Sequence, residues 1–81
     1  MTKTEIFEKL IGIINTEFPE SDTEITRETV AEDVPGWDSM AHVGVMAAIE
    51  DAFEVKFTGR EIVQFEDVGS LLDLLTQKVQ G

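Results

Sequence analysis

The sequence predicts an all-α fold: a four-helix bundle of three longer helices and one short helix, with a long first loop. Three observations carry this. Apolar residues recur at helical spacing in separate stretches, and β-branched residues never alternate over a useful length. Residues that cap helices (Thr2, Asp38, Thr58 and Asp67) stand at or just before the head of each stretch. The chain has 81 residues, so residues 1–81 are expected to form a single domain. A chain of this length buries only about 60–65% of the surface its unfolded form exposes, which leaves little room for a deep, enclosed active site.

The first helix is expected over about Lys3 to Glu17. Thr2-Lys3-Thr4-Glu5 has the capping-box pattern, and Ile6, Phe7, Leu10, Ile11, Ile14 and Phe18 make one apolar stripe that stops near Pro19. From Pro19 to Trp37 no period is sustained, and Ile25, Val30 and Val34 are read as side chains that tack this loop over the bundle. The second helix is expected from Ser39 to about Glu54, with Val43, Met46, Ile49 and Phe53 as its core stripe. Its other side is not polar: Met40, Ala41, Gly44, Ala47 and Ala48 fall there, and no carboxylate occurs before Glu50. A helix apolar all round is normally buried all round, and so short a chain cannot cover both faces. Part of that face is therefore expected to be exposed, as a docking surface. A short helix over about Gly59 to Gln64 follows, with Ile62 and Phe65 turned inward. The last helix follows Asp67, with Val68, Leu71, Leu72, Leu75 and Val79 inward, Lys78 in its final turn and Gly81 ending the chain.

Composition narrows the function. Seventeen acidic residues against six basic give a formal net charge of −11, which repels nucleic acid and favours basic partners or simple solvation. There are no cysteines, so disulfides, thiolate catalysis and cysteine-based zinc sites are excluded. Nothing resembles a signal peptide or a membrane span, and a cytoplasmic setting is expected. The carboxylates Glu50, Asp51, Glu54, Glu61, Glu66 and Asp67 lack the alternating ligands and glycine of a calcium loop, so no metal site is assigned.

The chain is organised around Pro35-Gly36-Trp37-Asp38-Ser39-Met40. Pro-Gly marks a turn. Asp38 reads as the N-cap of the second helix, its carboxylate set to accept from first-turn N–H groups and to complement the dipole. Ser39 is then the first helical residue, with a hydroxyl not consumed by capping and accessible to an outside enzyme. His42 lies one turn later, so a Ser39–His42 hydrolase has to be weighed, but no orienting acid or oxyanion hole can be identified and His42 is read as rimming the core or a pocket. Trp37 is read as a half-buried anchor with its indole N–H solvated.

Asp38-Ser39-Met40, followed by Ala48-Ile49-Glu50-Asp51-Ala52-Phe53 and Val55-Lys56-Phe57, resembles the acyl carrier protein family. The resemblance runs from about Lys3 to Val79 and is densest between Trp37 and Phe57. In that family the motif is Asp-Ser-Leu, and the serine receives 4'-phosphopantetheine from coenzyme A. The resemblance implies that Ser39 bears this group, that Asp38 helps the phosphopantetheinyl transferase recognise it, and that an acyl or related group rides on the cofactor's thiol. It implies a carrier that is not an enzyme, a monomer whose partners are the transferase and acyl-loading and acyl-using enzymes. Met40, Ala41, Gly44, Ala47, Glu50 and Asp51 are the candidate partner face. Fatty acid carriers place carboxylates early in this helix, whereas Ala41 and Gly44 stand at the matching positions, so a specialised rather than a housekeeping carrier is expected. The alternative from another class is an unmodified acidic helical module that binds a basic protein.

Overall fold

The computed structural model describes residues 1–80; Gly81, expected to end the chain, lies outside the described residues. Helices α1 (Lys3–Glu17), α2 (Ser39–Phe53), α3 (Gly59–Val63) and α4 (Val68–Gln80) are joined by a long first loop containing a 3-10 turn, Ala31–Asp33. Among the described residues there is no strand. The all-α bundle with one short helix is therefore the observed architecture.

Each helix begins where its cap dictates. The Thr2 hydroxyl accepts from Glu5 N–H at 3.1 Å while Glu5 Oε1 accepts from Thr2 N–H at 2.7 Å. Thr58 and Glu61 make the same reciprocal pair at the head of α3. Asp67 Oδ1 accepts from Ser70 N–H at 2.8 Å at the head of α4. Helix α2 ends at Glu54, whose φ of 56° and ψ of 46° reverse the chain in the left-handed region. These partners satisfy donors and acceptors that a helix end leaves open.

α1 packs against both α2 and α4. The core is made by Ile6, Leu10 and Ile14 of α1, Val45, Met46 and Ile49 of α2, and Val68, Leu71, Leu72 and Leu75 of α4, with Ile25, Val34 and Phe57 closing it from the connections. Each fully buried aliphatic side chain contributes about 1.5–3 kcal/mol before entropy is counted. One expected core residue is misplaced: Val43 is 59% exposed, and Val45 takes the buried position instead. The reason is that α2 is apolar on nearly every side, so hydrophobicity alone could not set its rotational phase. Phe53 is only partly buried, with Lys9 Nζ 4.8 Å from its ring centroid and bonded to the Ala52 carbonyl at 3.0 Å.

The first loop is docked as well as tacked. Ile25 and Val34 are buried and Val30 partly so, but the loop's firmest hold is polar. Val68 N–H donates to the Thr29 carbonyl at 2.9 Å and Gly69 N–H to the Arg27 carbonyl at 2.8 Å, so loop carbonyls satisfy open donors of α4. A Cβ on Gly69 would meet that Arg27 oxygen at 3.0 Å, which explains a glycine here. Asp73 of α4 then binds Lys3 at 2.6 Å and the Arg27 guanidinium at 3.1 Å, joining α1, loop and α4.

Candidate functional site

The loop turns into α2 through Val34-Pro35-Gly36-Trp37. Trp37 N–H donates to the Val34 carbonyl at 3.1 Å, and Gly36 has φ of 92°, which a side chain would strain. The turn delivers Asp38 to the cap, where Oδ1 accepts from Ala41 N–H at 2.8 Å. Ser39 follows as the first residue of α2; it is exposed, and no described protein group hydrogen-bonds its hydroxyl. The helix dipole is positive at this point, so an anionic group on Ser39 is electrostatically favoured.

Beside Ser39 lies an open groove of about 580 Å3 between the 3-10 turn, α2 and α3. Val43, Ile62, Val63 and Phe65 form its apolar side, and Glu32, Asp38 and Glu66 its acidic side. Helical phase in the short α3 splits its two apolar neighbours, leaving Ile62 half-buried and Val63 79% exposed. Sequence reasoning singled out neither Val63 nor Glu66 on its own for this site.

The groove's floor is aromatic, and here the structure corrects the sequence reading. Trp37 is 6% exposed, and its indole N–H is not solvated: it donates to His42 Nδ1 at 3.1 Å. His42 Nε2 lies 2.8 Å from the Ile62 carbonyl. An indole can only donate and a carbonyl can only accept, so His42 carries its proton on Nε2 and accepts at Nδ1. Both nitrogens are thereby occupied, and neither is free to take a proton from Ser39. Trp37 also stacks on Phe18, with centroids 5.3 Å apart, and meets Phe65 at 5.2 Å.

The candidate partner residues separate into two groups. Met40 (86% exposed), Gly44, Ala47 and Asp51 stand on the surface. Ala41 is half-buried against the core, and Glu50 is half-buried with its carboxylate accepting from Phe57 N–H at 2.8 Å. Val43 joins the exposed strip they leave. Lys78, in the last turn of α4 as expected, also reaches Glu61 at 3.0 Å and lies 5.4 Å from the Phe57 ring centroid. Among the described residues no three carboxylates or imidazoles gather to hold a metal ion, and no helix is long and apolar enough to cross a membrane.

A small helical bundle with an open surface groove, a spare hydroxyl and a fully engaged histidine is suited to being handled by enzymes, as a carrier domain is, and not to catalysis of its own. No family model matches the chain. An acyl carrier protein from Guillardia theta is 29% identical over 79 residues, 98% of each chain. The solution structure of a holo acyl carrier protein from Geobacter metallireducens superposes with a TM-score of 0.82 at 31% identity, covering 91% of this chain and 85% of that one. The chain belongs to the acyl carrier protein family. It is accordingly a carrier and not an enzyme, and its prosthetic group is 4'-phosphopantetheine. That finding also sets aside the unmodified interaction module.

Proposed function

We propose that Ser39 is the residue to which 4'-phosphopantetheine is attached, within a single carrier domain spanning residues 1–81. The observation that supports this best is the division of labour at the head of α2: Asp38 makes the cap bond, and the adjacent Ser39 hydroxyl is exposed and unbonded. The residues fit the group, because the dipole favours its phosphodiester and the groove gives its arm a surface to lie against. The group supplies the thiol that holds an acyl group as a thioester, which is how a cysteine-free chain takes part in this chemistry. Asp38 presents the serine to the transferase.

Acyl-loading and acyl-using enzymes dock on Met40, Val43, Gly44 and Ala47, with Val63 alongside and Asp51 at the far end. This strip is apolar where rim carboxylates would steer a basic partner, so contact is made by close packing more than by long-range attraction. The carrier works as a monomer in a cytoplasm, on a specialised pathway rather than in housekeeping fatty acid synthesis.

Incubation with coenzyme A and a broad-specificity transferase tests the attachment. Intact mass should rise by one phosphopantetheinyl group, and Ser39→Ala should gain none while keeping its helical circular dichroism. Modification of the alanine variant would remove Ser39 from the account.

A further inference from the structure

Two hollows meet at one wall. The groove beside Ser39, about 580 Å3, and a second recess of about 240 Å3 between α2, α3 and α4 are both lined by Phe65. The recess has Met46, Leu71 and Leu74 as its apolar lining, and Met46 stands one turn beyond His42 on α2. Phe65 is the wall between them, and on its groove side Trp37 and His42 pack against it, the three ring centroids lying 5.1–6.1 Å from one another. His42 is bonded on one side to Trp37, just before α2, and on the other to the Ile62 carbonyl of α3.

We propose that His42 is a specificity-determining residue: by tying α3 to the head of α2 it closes the passage from the groove to the recess, and keeps the carried group outside the bundle. This rests on the reading of Ser39 as the attachment site. An alkyl chain passing between α2 and α3 would have to separate His42 from the Ile62 carbonyl, the bond that spans the two helices. It would leave the His42 Nε2–H and the Ile62 carbonyl without hydrogen bonds in a partly buried setting, and a hydrocarbon offers no replacement. A short or polar group meets no such cost, since it can rest in the open groove against Val43, Ile62 and Val63. The carrier is therefore selective for short or polar acyl groups over chains that need an apolar interior.

The test compares acetyl and octanoyl groups, transferred with the pantetheine arm from their coenzyme A thioesters. Hydroxylamine cleaves each thioester to a hydroxamate and a free thiol, and each rate is normalised to the same acyl group on free pantetheine. In the natural protein the two normalised rates should agree within about twofold, and the Trp37 indole N–H resonance should not move on octanoyl loading. In His42→Ala the octanoyl thioester should be cleaved about fivefold more slowly than the acetyl one, because the two hollows are joined. Strong octanoyl protection in the natural protein, with the indole resonance displaced, would overturn the proposal. So would a folded His42→Ala whose two rates still agree; a merely structural histidine would give that result. If His42→Ala does not fold, His42→Val, which also removes the bond to the Ile62 carbonyl but keeps more apolar bulk, takes its place with the same expectation. Failure to load Ser39 at all shows as an unchanged mass before hydroxylamine is added, and counts against the attachment site instead.

Discussion

Replacing Trp37 with phenylalanine isolates the polar part of the groove floor. Phenylalanine keeps an aromatic face for Phe18 and Phe65, now 5.3 Å and 5.2 Å from the indole, but has no N–H for His42. The imidazole Nδ1 then loses its donor in a partly buried site, which costs about 1–3 kcal/mol. Thinner packing in the stack adds a fraction of the ~0.5–1.5 kcal/mol that an aromatic pair is worth. The sum is about 2 kcal/mol, and for a domain of this size each kcal/mol shifts Tm by about 4–8 °C, so Tm should fall by about 10 °C. Far-ultraviolet circular dichroism is the assay, because the substitution removes the chain's one tryptophan. A double-mutant cycle with His42→Ala should show a coupling of at least about 0.5 kcal/mol, since once one partner is gone the other has less to lose. A Tm within about 3 °C of the natural protein, or additive effects in the cycle, would refute the hydrogen bond as a structural element.

Three further outcomes are expected. Gly44→Ala should stabilise the fold by about 0.5–1 kcal/mol, read by urea unfolding, because a Cβ there meets nothing within 4 Å and alanine is the better helix former. Sodium chloride or millimolar magnesium should raise Tm near neutral pH: of seventeen acidic residues, only Glu61 and Asp73 are in ion pairs among the described residues, leaving much uncompensated repulsion to screen. On acidification the bonds from Thr2 to Glu5, from Thr58 and Lys78 to Glu61, and from Lys3 and Arg27 to Asp73 hold these carboxyls below their ordinary values of 4.5 and 3.8. The folded state thus binds these protons less readily than the unfolded chain. The stability they add is complete above those ordinary values and lost as pH falls through the lower folded ones. The urea midpoint should accordingly drop on that acid limb, and drop less in Glu5→Gln/Asp73→Asn.

The helices were legible because their information is local. Capping pairs such as Thr2–Glu5 and the clean stripe of α4 depend on residues three or four apart, and the structure keeps both. Ser39 and Asp38 were legible for the same reason, since cap and first residue are neighbours. What the sequence concealed depends on partners brought together by packing. The His42–Ile62 bond spans twenty residues and ends on a backbone carbonyl, which leaves no trace in side-chain pattern. The loop carbonyls of Arg27 and Thr29 are equally silent until α4 docks on them. Val43 was misplaced because α2 has apolar residues on the side where polar ones would have fixed its phase. That same excess of apolar surface is what leaves Met40 and Val43 exposed beside the serine.

The central claim is that an acyl group is carried on an arm attached at Ser39. It is tested most directly by isolating the protein from its own cells and fragmenting the peptide that contains Ser39 in a mass spectrometer. The account predicts a phosphopantetheinyl group on that serine, with an acyl group that hydroxylamine releases. A Ser39 peptide found wholly unmodified, or a phosphopantetheinyl group located on another serine, would contradict it.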